Sequence, residues 1–205
     1  IERIRVLTGG GSSFTFFNND NEAEVTGAEF EVRYSLGNFS DFLQNLYIGG
    51  NYTYIDATVE RSTLETDILP ASASRERQLF NQPENIMNAF VNYRNEGLGL
   101  DATLSANQVG QQLSGVTSAG DIFIDPHLTL NFIVSWKVTE NFSVKFSAKN
   151  LLDPKKERSY DTFGAITDPN EIGDAGGIAD ESTDFDIRDS YRSGRSFGVS
   201  ASYSF

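Results

Sequence analysis

The residues able to do chemistry in this 205-residue chain are few and unevenly placed. Residues 153–190 hold eleven carboxylates against four bases, and Asp180, Glu181, Asp184 and Asp186 fall within seven positions. Hard cations such as calcium want several carboxylate oxygens, so these four are the candidate metal ligands, but their spacing has neither the Gly nor the Glu of an EF-hand loop. A solvated acidic run is the plainer reading. Arg75, Arg77, Arg188, Arg192 and Arg195 are candidate ligand-binding groups, because a guanidinium matches planar anionic oxygens bidentately. Ion pairs with nearby acids are their plainer use. His127, the single histidine, can serve a hydrolase only if a nucleophile meets it in space, and no nucleophile motif marks one. The expectation is therefore a chain that is not an enzyme and carries no cofactor.

Composition narrows the classes. The net charge of -13 argues against nucleic acid as a partner, since such partners carry basic patches. Cysteine is absent, which removes disulfides and Cys-ligated zinc. No run of 18 apolar residues exists, so no transmembrane helix is expected. A mean hydropathy of -0.34 suits a soluble chain, yet membrane barrels give the same average because alternate residues face opposite solvents.

The elements that must position these groups show that alternation. In the last stretch Phe197, Val199, Ala201, Tyr203 and Phe205 interleave with Ser196, Gly198, Ser200, Ser202 and Ser204, a period of two and hence a strand with one apolar and one wet face. The same pattern recurs in Ile1–Leu7, in Thr26–Leu36 and in Leu46–Tyr54. It continues in Met87–Arg94, Leu98–Asn107, Leu128–Lys137 and Phe142–Lys149. That makes about eight strands. Their connections alternate between short (37–45, 95–97, 139–141) and long (62–83, 110–125, 153–190), with a hairpin glycine at Gly97 in the second short one. Outer-membrane barrels sort their connections this way, with short periplasmic turns and long extracellular loops. The fold expected is an all-β antiparallel transmembrane β-barrel, residues 1–205 forming its C-terminal part. Ile1 already lies inside a strand pattern, so a piece of a longer protein is expected rather than a closed barrel of eight strands.

Three motifs carry a resemblance. Phe17, Asn19, Ala23, Gly27, Glu29 and Glu31 lie in the stretch Phe16–Leu36, Asn150-Leu151-Leu152-Asp153 ends one strand, and Gly194-Arg195-Ser196-Phe197 enters the last. In this order the chain resembles a TonB-dependent outer-membrane receptor, with Ala28 where the family usually has a β-branched residue. The resemblance implies energised uptake of a large scarce nutrient such as a ferric siderophore across the outer membrane of a Gram-negative bacterium. It also implies partners: outer-membrane lipid, an N-terminal plug with its TonB box, the remaining barrel strands, and TonB acting through the missing part. The terminal strand, through Phe197, Val199, Ala201, Tyr203 and Phe205, resembles the signal that the barrel-assembly machinery reads. The rival readings are a passive pore or small eight-strand barrel and, third, the hydrolase.

Overall fold

Period-two patterning becomes extended chain along most of the molecule. A computed structural model describes residues 2–8, 11–117, 120–162 and 185–205. Its strands are β1 (Glu2–Thr8), β2 (Gly11–Phe17), β3 (Ala23–Ser35), β4 (Leu46–Glu60), β5 (Glu76–Gln78), β6 (Asn85–Asn95) and β7 (Leu100–Val109). There follow β8 (Gln112–Thr117), β9 (Gly120–Ile124), β10 (His127–Lys137), β11 (Phe142–Lys149), β12 (Lys156–Thr162), β13 (Phe185–Tyr191) and β14 (Ser196–Tyr203). One short helix, α1 (Thr63–Ile68), and two 3-10 turns at Leu36–Asn38 and Asp41–Leu43 complete the described elements. Among the described residues no helix is long and apolar enough to cross a membrane.

The strands form two sheets. The larger runs β14-β11-β10-β7-β6-β4-β3, antiparallel throughout, with β5 added beside β4. The smaller runs β13-β12-β9-β8-β1-β2, its β1–β8 contact being parallel. The first expected strand therefore departs from the pattern: β1 pairs with β2 and β8, and the large sheet begins at β3. The large sheet is open, because β3 and β14 do not pair with each other.

Every short connection lies at one end of the large sheet and every long one at the other. The hairpin 95–100 closes through Gly99 N–H to Glu96 O at 3.1 Å. Positive φ falls on Gly99 (φ 63) rather than on Gly97, so the glycine that any side chain would strain there comes two residues later than expected. The long connections are built rather than irregular. Segment 61–84 holds α1 and β5; segment 110–126 is the β8–β9 hairpin; β12 and β13 extend the connection between β11 and β14. The buried apolar cluster found among the described residues lies here: Leu113, Val116 and Phe123, with Leu69 and Phe80 packed against them.

Candidate functional site

Strand register decides what each face of the large sheet offers. One row across it reads Tyr34, Ile48, Val91, Leu104, Phe132, Ala148, Phe197, each paired with the next on the neighbouring strand. Two residues towards the short-connection end the row is Leu46, Tyr93, Ala102, Val134, Phe146, Val199. All are apolar or aromatic, and many stay exposed to a degree unusual for such side chains, Phe197 at 64% and Val199 at 75%. Among the described residues these rows form a continuous apolar face, and lipid is the solvent that suits it. Rings collect at its short-connection end. Trp136 donates its indole N–H to Leu98 O at 3.1 Å, Tyr34 packs on Phe39 with centroids 5.4 Å apart, and Tyr203 meets Phe205 edge-on at 5.3 Å.

The opposite face is polar and bonded to itself. Asn107 donates to Asn88 at 2.7 Å, Asn88 to Asn51 at 2.7 Å, and Asn51 to the Glu29 carboxylate at 3.3 Å. An ionised carboxylate only accepts, so Glu29 fixes the direction of all three amides. Nearer the short-connection end, Asn92 and Arg94 both donate to Asp101, at 2.8 and 2.7 Å. Lys145 and Lys149 are exposed on this same face, opposite Ser200 and Ser196. Such a face meets water or another polar surface.

At the long-connection end the charge is buried. Arg61, Glu65, Arg77 and Asp121 are 3%, 0%, 5% and 5% exposed. Arg61 Nη2 meets Asp121 Oδ2 at 2.5 Å and its Nη1 lies 3.6 Å from Glu65 Oε1. Arg77 donates through Nε and Nη2 to the two oxygens of Glu65, at 2.7 and 3.2 Å, and its guanidinium lies 4.5 Å from the centre of the Phe80 ring. Burial pushes the Asp121 carboxyl above the ordinary carboxylate range, against the pull of Arg61 and Arg77. Glu65 also closes the N-terminus of α1: it accepts from Ser62 N–H at 3.0 Å while Ser62 Oγ accepts from Glu65 N–H at 3.2 Å. That reciprocal pair is a capping box, and Ser62-x-x-Glu65 is the one trace of this arrangement in the sequence.

The five candidate arginines have different surroundings. Arg77 is the buried partner of Glu65. Arg192 donates to Asp153 O at 2.5 Å and Arg195 to Leu151 O at 2.8 Å, so both hold backbone at the entry to β14. Arg75 is exposed. The side chain of Arg188 lies outside the described residues, as do Asp180, Glu181 and Asp184 and the side chain of Asp186. His127 is half-buried with its ring 3.4 Å from Asp125 O. In the terminal strand Phe197, Val199, Ala201 and Tyr203 share the apolar face with the residues they oppose on β11.

The motif residues have physical work to do. Asn19 donates to Glu60 O at 2.9 Å, pinning the far end of β4. Gly27 lies so close to β4 that a Cβ there would sit 2.5 Å from Tyr54 O. Asn150 and Asp153, both with positive φ, clasp the start of β14: Asn150 Nδ2 donates to Gly194 O at 2.7 Å, and Gly194 N–H to Asp153 Oδ1 at 2.9 Å. Two motifs separated by some forty residues are thus one clasp.

Against this geometry, residues 1–151 match the family model described as TonB dependent receptor-like, beta-barrel. No curated protein and no solved structure matches the chain.

Proposed function

Because the chain belongs to the TonB-dependent receptor β-barrel family, whose members act in TonB-dependent transport across the outer membrane of Gram-negative bacteria, we propose that it forms part of the wall and outer mouth of such a transporter. The observation that carries this is the two-faced sheet with its connections sorted by length. The apolar rows face lipid, the Glu29–Asn51–Asn88–Asn107 row faces the lumen, and the built segments 61–84 and 110–126 rise on the extracellular side.

The open edges support a wall completed by further strands. Unpaired N–H and C=O groups in lipid cost several kcal/mol each, so β3 and β14 each require a neighbour. In a barrel of the large transporter kind, with about 22 strands, the lumen is plugged rather than filled by side chains. The small and polar inward residues of β14 suit that wider lumen. The ligand is an anionic iron chelate of the ferric siderophore kind, and Arg75 is an exposed cation offered to it; TonB supplies the energy through the plug.

Uptake of radiolabelled ferric siderophores by cells carrying the intact receptor, with and without TonB, tests the reading. TonB-dependent uptake that falls on Arg75→Ala is the expected result. Uptake unaffected by loss of TonB would refute the energised mechanism, and uptake indifferent to Arg75 would remove its role.

A further inference from the structure

The buried charges at the outer end join pieces of chain that lie far apart in sequence. We infer that Arg61, Glu65, Arg77 and Asp121 form a lock that makes segment 61–84 and the β8–β9 hairpin one moving unit, with Arg61 positioning the loop that carries Arg75. The inference rests on the reading of this end as the outer mouth.

The connections are specific. At the base of the unit, backbone bonds already tie the two segments: Asn81 N–H to Leu113 O at 2.8 Å and Glu84 N–H to Gln111 O at 3.3 Å. In its middle, Leu69 and Phe80 pack on Leu113, Val116 and Phe123. At the top the tie is ionic, because Arg61 reaches from the end of β4 to Asp121 on β9. Glu65 accepts from Arg77 and lies beside Arg61, so helix α1, strand β5 and the hairpin meet in two adjacent ion pairs. Two guanidinium and two carboxylate charges balance.

Arg61 does one thing more. Its Nε donates to Ser74 O at 2.9 Å and its backbone N–H to Arg75 O at 2.8 Å. Arg75 is therefore exposed on a loop whose backbone is held from beneath by the same side chain that reaches the hairpin. Only a guanidinium has the arms for both tasks, since its donors point in fixed and different directions. A lysine at position 61 can still neutralise Asp121 but cannot also hold Ser74 O.

The test uses the intact receptor in outer-membrane vesicles and needs no transport ligand, so failure of the uptake reading leaves its outcome readable. Two measurements are made on wild type, Arg61→Lys, Arg61→Met and Glu65→Gln. One is the rate at which phenylglyoxal modifies each arginine; the other is amide hydrogen exchange. In wild type, Arg75 should label at least about tenfold faster than Arg61 and Arg77, because the buried pair reacts only through local opening. Arg61→Met should raise exchange at residues 72–76 and 120–124 together and expose Arg77 to the reagent. Glu65→Gln should do the same. Arg61→Lys should leave Arg77 protected while 72–76 alone exchanges faster. Exchange that rises in only one of the two segments in both Arg61→Met and Glu65→Gln overturns the lock. An Arg61→Lys variant in which 72–76 stays as slow as wild type overturns the positioning role. Unchanged exchange in β6, β7 and β10 serves as the check that the barrel wall has folded.

Discussion

A series of single arginines down the apolar face of β7 measures the depth at which each row sits. Along that strand the outward residues are Leu100, Ala102, Leu104, Ala106 and Gln108, paired with Trp136, Val134, Phe132, Leu130 and Leu128 on β10. One further row lies below them, Phe142 with Tyr203, and one above, Tyr54 with Asn85. Rows two residues apart are about 6.8 Å along the strand, and a tilt near 40° reduces this to about 5 Å of depth. Seven rows then span about 30 Å, slightly more than the apolar band of about 25 Å expected of such barrels. Leu104 occupies the middle row and Leu100 lies about 10 Å below it. Arginine at Leu104 should therefore cost about 2–4 kcal/mol, and arginine at Leu100 about 0–1 kcal/mol. Ser105→Arg, on the lumen face beside Leu104, should cost less than about 1 kcal/mol, since that face can hydrate the charge. The larger figure corresponds to roughly 30- to 700-fold in the folding equilibrium. Guanidinium unfolding of the intact receptor in phospholipid vesicles, followed by tryptophan emission, reads the series. A flat profile from Leu100 to Leu104, or equal costs at Leu104 and Ser105, would refute both the register and the assignment of faces.

Other outcomes follow from individual contacts. Arg61→Met leaves the Asp121 carboxylate buried without its partner and should destabilise the outer unit by about 3–5 kcal/mol. Asp121→Asn should be milder, because the amide oxygen still accepts from Arg61 and no carboxylate is left for burial to penalise. The sign with pH follows from the same fact: a carboxyl raised on folding contributes stability below its unfolded pKa that is lost as pH rises through the higher folded one. Intrinsic pH effects aside, hydrogen exchange at 120–124 should accordingly quicken as pH rises through the raised folded pKa in wild type and lose that dependence in Asp121→Asn. Gly27→Ala places a Cβ 2.5 Å from Tyr54 O and should cost about 1–3 kcal/mol by forcing β3 from β4, visible as less heat-modifiable receptor on gels. Replacing Tyr203 and Phe205 together by Ser removes the edge-on ring pair of the terminal strand and should lower the amount of receptor inserted; normal surface levels would count against β14 as an assembly signal.

The membrane wall was readable in the sequence because its rule is local. Each strand alternates on its own, so the faces of β4, β7, β10, β11 and β14 follow from period two without knowledge of the neighbours. The outer unit obeys no such rule. Arg61 and Asp121 stand 60 residues apart, and nothing in either neighbourhood marks them as partners. Helix α1 has six residues, too few for a helical period to show. Polar composition in 62–83 and Gly/Ser content in 110–125 read as loop, whereas the backbone there is ordered by long-range bonds such as Asn81 N–H to Leu113 O. The arginines show the same limit. Residue type identified five anion-binding candidates, but burial and partners, which separate Arg77 from Arg75, are set by the fold.

The two parts of the chain are stabilised by different physics, and that difference bears on transport. In lipid, apolar side chains gain nothing by leaving water that is not there, so the wall rests on its backbone ladder, which has no cheap way to open in a medium without hydrogen-bonding groups. The outer unit stands in water, and holds together through Leu113, Val116 and Phe123 and through four buried charges. Its stability is therefore its own, separable from that of the wall, and it can loosen while every strand below stays paired. The joints between the two parts include β5 paired on the end of β4, Ile55 N–H on Glu84 O at 2.8 Å, Leu79 N–H on Ala57 O at 3.0 Å and Gly110 N–H on Asn85 O at 2.8 Å. A membrane barrel whose water-borne end can loosen while its wall stays sealed needs that division. In this chain the boundary falls where β4 passes Tyr54, the uppermost ring of the apolar face, and enters Ala57 and Val59, the first buried residues of the outer unit.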